Sequence, residues 1–237
     1  VNYLEDFFIQ NHPVLSSTQD QAKDLIAEKK GIRLGTVISA DMQTNGKGRY
    51  DRKWISESGN IYITIILPSS ENDPLICYAA GIAVRQSIKQ LFPNLEPKLK
   101  WVNDILIEEQ KVSGILLEKF NDFLLVGIGI NIIHNSQIEA LQSSGLSKFG
   151  PIEKDTLLAT VLKNFKEKYN LLNQGAFNII RNEWTKHAYK LGEEIKVNYP
   201  HAISETGIMK GIDEDGNLIL QTSSELKKIR VGELFSL

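Results

Sequence analysis

The apolar positions change their period along the chain, and each change marks an element. Ala22, Leu25 and Ile26 lie three and four apart behind Ser17-Thr18-Gln19-Asp20, which predicts a capped amphipathic helix. Residues 34–40 and 60–67 are short apolar, β-rich runs and predict buried strands. A polar, basic stretch that contains glycine, residues 43–59, separates them. Asp73-Pro74 predicts the start of a long helix, because proline in the first turn loses no helical hydrogen bond. Its apolar members run from Ile76 through Ala79, Ala80, Ala83, Val84 and Ile88 to Leu91, and Pro93 and Pro97 close it.

Residues 99–107, 112–118 and 123–133 read as three strands separated by short polar turns, hence as antiparallel neighbours. Helical spacing returns with Leu158, Val161, Leu162, Phe165 and Tyr169 in residues 155–172, and a further helix is expected over 177–189. Beyond Leu191-Gly192 the texture becomes alternating, at Ile195, Val197 and Tyr199. Strands are expected over 207–212, 218–220 and 229–231, with residues 213–217 as a turn. The pattern therefore predicts an α+β body, residues 1–189, followed by a small all-β module, residues 190–237.

Composition narrows the function. The 237 residues are 42% hydrophobic and 24% charged, the balance of a globular chain able to bury a sizeable core. A net charge of −2 argues against a protein that coats nucleic acid. Cys77 is the single cysteine, so an internal disulfide and a thiolate metal cluster are excluded. The histidines, at 12, 134, 187 and 201, form no metal-binding pair, and no metal site is expected. No apolar run approaches the ~20 residues that span a membrane, and residues 1–10 lack the basic leader of a signal peptide. A cytoplasmic protein is the expectation.

Four segments carry candidate chemistry. Gly46-Lys47-Gly48-Arg49-Tyr50-Asp51-Arg52-Lys53-Trp54 puts four cations on a loop whose glycines admit a ligand close to the backbone, which suits phosphate. The Walker spacing is absent, and the alternative is a solvated turn. Lys100-Trp101-Val102-Asn103-Asp104, read as one strand, sets Lys100, Val102 and Asp104 on one face and Trp101 and Asn103 on the other, the alternative being a bulge or turn at Asn103-Asp104. Lys111 opens an apolar strand that continues through Gly114 to Glu118; it either snorkels to solvent or serves as a fixed cation for an anionic reaction. Gly127-Ile128-Gly129-Ile130-Asn131 buries an Asn among isoleucines, where it is either a satisfied structural amide or a ligand contact.

Together and in this order, these segments and Ser17-Thr18-Gln19 resemble the biotin–protein ligases, and the resemblance covers nearly the whole chain. It implies a catalytic domain like that of the class II synthetases, with a mixed, mainly antiparallel sheet, and a small SH3-like C-terminal barrel. The implied reaction turns biotin and MgATP into biotinyl-5′-AMP and pyrophosphate, then passes the biotinyl group to a lysine of a biotin carboxyl carrier domain. No tightly bound cofactor is implied.

The resemblance also distributes roles. Biotin is expected against Ser17, Thr18, Gln19, Gln43, Gly46, Lys47, Gly48, Arg49, Lys111 and Gly114. The nucleotide is expected against Lys47, Arg49, Arg52, Trp54, Asn103, Lys111 and Asn131. Lys111 is the first choice as catalytic residue, because a cation offsets the repulsion between a carboxylate and the α-phosphate. Arg49 is expected at the phosphates, and Asp104 is expected to orient or deprotonate the carrier lysine. The chain departs from the family at Gln19 (usually Asn), Lys47 (commonly Arg), Asp51 (often Gly) and Val102 (often Pro). About sixteen residues precede Ser17, too few for the DNA-binding domain of many bacterial relatives, so a ligase without repressor function is expected. A homodimer through an apolar strand edge is admitted without a residue that establishes it. Lipoate ligases and octanoyltransferases share the implied fold, but their HDxGN-like segments are absent from the sequence. A nucleic-acid binder would use the same basic loop but lacks a broader basic stripe.

Overall fold

The structure, a computed structural model, describes residues 6–29, 32–133, 142–199 and 204–236. His134 and His201 lie outside the described residues. The larger sheet contains β1 (Phe8–Leu15), β2 (Thr36–Gln43), β3 (Ile61–Pro68), β4 (Lys98–Lys100), β5 (Asp104–Ile107), β6 (Gln110–Phe120) and β7 (Phe123–Ile130). Their spatial order is β1-β2-β3-β7-β6-β5-β4. Only β1 and β2 run parallel; the other neighbours are antiparallel, so the sheet is mixed and mainly antiparallel, as expected.

Alternation along β3 explains the layers. Ile61, Ile63 and Ile65 face the main core with Val126 and Ile128 of β7, beneath α2 (Asp73–Leu91) and α3 (Lys154–Asn173). Each such buried aliphatic side chain contributes about 1.5–3 kcal/mol. The alternate residues face the other way, where Ile66 joins Ile38, Leu125, Ala22 and Ile26 under α1 (Thr18–Glu28). This helix is only 11 residues long and covers part of that face. The uncovered part becomes the floor of a cleft.

After α4 (Phe177–Lys186) the chain pairs briefly with β4: Leu99 N–H donates to His187 O at 2.9 Å and Tyr189 N–H to Leu99 O at 2.8 Å. It then enters a five-stranded antiparallel sheet of β8 (Glu194–Asn198), β9 (Ser204–Ile212), β10 (Leu218–Gln221), β11 (Leu226–Ile229) and β12 (Glu233–Ser236). The two sheets meet where the Tyr78 hydroxyl donates to Gly216 O and the Trp101 indole N–H donates to Tyr78 Oη at 3.1 Å. No helix among the described residues is long and apolar enough to cross a membrane.

Four expectations change. Residues 99–107 are not one strand. Lys100 pairs with Asp104 across a turn at residues 101–103, so β4 and β5 form a hairpin. The strand expected over 123–133 ends at Ile130 and the helix expected over 177–189 ends at Lys186. The last strand expected, 229–231, overlaps β11 only at Ile229; residues 230–232 are the turn between β11 and β12. β1 was not anticipated, because as an edge strand it has no buried face to impose alternation.

Candidate active site

The cleft lies on the α1 side of the larger sheet. Its floor is backbone: Gly127 and Gly129 on β7 and Gly114 and Leu116 on β6 line it, with Tyr62 of β3 beside them. Tyr62 is locked in place, accepting from Asn60 Nδ2 at 2.9 Å and donating to Glu57 O at 2.8 Å, and burial pushes its hydroxyl pKa up to about 12.

One end is built by the start of α1. Ser17 caps the helix, its Oγ accepting from Gln19 N–H at 3.2 Å. Thr64 donates to Thr18 Oγ1 at 2.9 Å, and Thr18 donates its backbone N–H (2.8 Å) and hydroxyl (3.2 Å) to Gln43 Oε1. Gln43 Nε2 donates to Ser56 Oγ at 2.8 Å, and Ser56 donates to Trp54 O at 2.9 Å. This relay ties β3, α1, β2 and the basic loop together. Gln19 donates to Leu116 O at 3.3 Å, while its Oε1 is buried with no partner among the described residues. A buried acceptor without a donor costs free energy unless a ligand supplies one.

The basic loop folds back on itself. Trp54 N–H donates to Gly46 O at 2.9 Å, and Gly48 N–H to Arg52 O at 2.8 Å. A Cβ at Gly46 would stand 2.5 Å from Trp54 O and would also strike Ser56 Oγ, so only glycine fits this return. Tyr50 and Asp51 both have left-handed backbone, φ 55° and 58°. Asp51 therefore occupies a conformation that glycine adopts freely and that Asp tolerates better than most residues. Each of three cations is anchored to a different part of the fold. Lys47 pairs with Asp20 of α1, Arg49 Nη1 donates to Asn103 Oδ1 at 3.1 Å, and Arg52 forms two bonds to Glu233 of β12 at 2.6 and 2.9 Å.

Lys111 stands opposite the loop. On β6 it pairs with Leu106, whereas Ser113 pairs with Ile105, so Val112 is an extra residue and the strand bulges beside the lysine. Bulges re-aim side chains. Here Lys111 Nζ lies 2.7 Å from Asp104 Oδ1 and 5.0 Å from the centre of the Trp54 ring. The Trp54 indole lies against Gly114 and Gly129, and its Nε1 is buried without a partner among the described residues. Asn103 is fixed by donating to Ile115 O at 2.9 Å.

The structure thus brings together Ser17, Thr18, Gln19, Gln43, Lys47, Gly48, Arg49, Arg52, Trp54, Asn103, Asp104, Lys111 and Gly114 around one cleft. Gly46 and Asn131 do not line it. Gly46 is buried at the base of the loop against Trp54 and Ser56, and Asn131 is buried beyond the end of β7, its backbone N–H donating to Val112 O at 2.9 Å. Sequence reasoning missed Tyr62, Leu116 and Glu233 as lining residues. Tyr62 was recoverable as a polar-tipped residue on the face opposite Ile61 and Ile63, but nothing local to Glu233 signals the loop.

The chain matches the model of the biotin/lipoate A/B protein ligase family over residues 12–135 and that of the biotin protein ligase C-terminal domain over residues 190–235. It is 30% identical over 233 residues to the bifunctional ligase/repressor BirA of Bacillus subtilis, covering 92% of this chain and 70% of the relative. It is 26% identical over 238 residues to the biotin–[acetyl-CoA-carboxylase] ligase of Paracoccus denitrificans, covering 94% and 99%. Among solved structures, it is similar to the biotin protein ligase from Aquifex aeolicus in complex with biotin and ATP, at a TM-score of 0.86 and 29% identity over 96% of this chain and 97% of the other.

Proposed function

The chain belongs to the biotin/lipoate A/B protein ligase family, and from that premise we propose that it is an ATP-dependent biotin–[acetyl-CoA-carboxylase] ligase. One observation carries the choice of substrates: a single cleft has hydroxyls and an unpartnered amide oxygen at one end and cations at the other. A ureido ring offers N–H donors and a carbonyl acceptor, which suit Gln19 Oε1 and the Ser17 hydroxyl. A carboxylate and a triphosphate suit Lys111 and the loop.

In the first step a biotin carboxylate oxygen attacks the α-phosphorus of MgATP, and the bond to the β-phosphate oxygen breaks to release pyrophosphate. Lys111 lies between the two anions and stabilises the charge that develops as they meet. Holding both reactants in one cleft supplies up to ~7–11 kcal/mol of the barrier. Arg49 and Lys47 hold phosphoryl oxygens; Asn103 orients Arg49. Trp54 flanks the nucleotide and keeps Lys111 over its ring. In the second step the carrier lysine amine attacks the acyl carbon and AMP leaves. Asp104 shares Lys111 in the structure and accepts or orients the amine proton once Lys111 turns to the phosphate.

Residues 1–189 form the catalytic body in this reading and residues 190–237 the C-terminal module. The macromolecular partner is a biotin carboxyl carrier domain. A second copy would pair along β1, the outer strand, where Phe8, Ile9 and Val14 are exposed. Pyrophosphate release is measured with biotin, with lipoate and with no acid. Release dependent on biotin, followed by biotin transfer to a carrier domain, is expected. Release with lipoate but not biotin would replace this reading with a lipoate ligase, and release with neither would remove the adenylation step.

A further inference from the structure

Arg52 and Glu233 are 181 residues apart in sequence and belong to different sheets' surroundings, yet both line the cleft. The bond is bidentate, Nη1 to Oε1 at 2.6 Å and Nη2 to Oε2 at 2.9 Å, which fixes the plane of the guanidinium as well as its position. The Arg52 side chain is 65% exposed, so little else restrains it, whereas Glu233 is 23% exposed. Glu233 is itself on a fixed wall. The C-terminal sheet is tied to the body through Gly216, Tyr78 and Trp101. Phe235, two residues along the same face of β12, carries the Lys100 ammonium 5.4 Å from its ring centre.

A bare carboxylate at the mouth of a cleft that receives a triphosphate would repel it. Paired as it is, Glu233 is neutralised, and it uses two of the five N–H donors of Arg52. Three remain for another acceptor. Building on the reading of this cleft as a nucleotide site, we infer that Glu233 is a positioning residue: it holds Arg52 with its remaining donors toward the nucleotide phosphates. The C-terminal module thereby completes the phosphate end of the site.

The test compares wild type with Glu233→Gln, Glu233→Ala and the charge swap Arg52→Glu/Glu233→Arg. Pyrophosphate release is measured against ATP at saturating biotin, biotin affinity by calorimetry without ATP, and hydrogen exchange over residues 46–54. Both single variants should raise the KM for ATP about three- to tenfold, the range of an exposed but bidentate pair. Their kcat should stay within about twofold and biotin affinity should not change. Loop amides should exchange faster. The swap should restore loop protection but not the KM for ATP, because a carboxylate then faces the phosphates. In an active wild-type background, single variants with unchanged KM for ATP overturn the inference alone. So does a swap that restores that KM, since the pair is then only a strap. A wild-type chain with no biotin-dependent release overturns the functional reading and takes this inference with it.

Discussion

Gly129→Ala tests whether the glycine floor exists to seat Trp54. A Cβ built on Gly129 would lie 2.7 Å from Trp54 Cε2 and 2.9 Å from both Cζ2 and Nε1. Carbon atoms rest ~3.5–4.0 Å apart, so the indole must retreat by about 1 Å. The strand itself has no reason to fail: Gly129 has no left-handed backbone, and Ala narrows the unfolded ensemble, which is neutral to stabilising by up to ~1 kcal/mol. The indole carries Lys111 above its ring, a contact worth ~0.5–2 kcal/mol, and it adjoins the loop that holds Arg49 and Arg52. A misplacement of ~1 Å in a catalytic site costs as much as ~10²-fold in rate. The variant should therefore melt within a few degrees of wild type while kcat/KM for pyrophosphate release falls ~10- to 100-fold, about 1.4–2.7 kcal/mol. Gly127→Ala is the companion. Its Cβ would meet Gln19 Nε2 at 3.1 Å rather than the indole, so biotin affinity should weaken and the ATP dependence should hold. A folded Gly129→Ala with normal turnover would refute the claim that the indole's seat matters.

Lys111→Ala should keep biotin binding but lose most adenylate synthesis, with kcat falling more than KM rises; near-normal turnover in a folded variant would reject the role of Lys111. Arg49→Gly removes charge-assisted hydrogen bonds worth ~1.5–3 kcal/mol each. It should still make adenylate at high substrate but release it, labelling albumin in the absence of a carrier domain; labelling no faster than wild type would show that Arg49 does not retain the intermediate. Burial alone would push the Asp213 carboxyl pKa up, but hydrogen bonds from Asn217, Lys228 and the Asp215 backbone outweigh it and hold the value below the usual range. A depressed folded pKa means stability that is present above the unfolded carboxylate value and lost as pH falls through the folded one. Asp213→Asn should thus lower Tm at pH 7 by about 2–8 °C, and the gap should close under acid; a gap independent of pH would contradict this.

The sheet, α2 and α3 were legible because burial on one face writes a period into the sequence. The β4–β5 hairpin was not, since Lys100 and Asp104 satisfy an alternation of two whether the chain runs straight or turns between them. β1 left no period to find. Most of the site was legible as motifs, because its cations, glycines and Lys111 are grouped locally. Their partners were not: Asp20 of α1, Asn103 of the β4–β5 turn and Glu233 of β12 reach the loop from distant parts of the chain, and only tertiary structure brings them there. The unpartnered Gln19 oxygen is equally a property of the fold, since its isolation depends on what packs around it.

The distance in sequence between Arg52 and Glu233 also sets a clock during synthesis. Ribosomes add ~5–20 residues per second, so the 181 residues between the two take roughly 9–36 s to follow. Throughout that interval the loop emerges without its far anchor, and a nascent chain with the body already folded has an incomplete phosphate end. The loop is therefore the part of the cleft that is completed last, because its far anchor exists only once β12 has been synthesised.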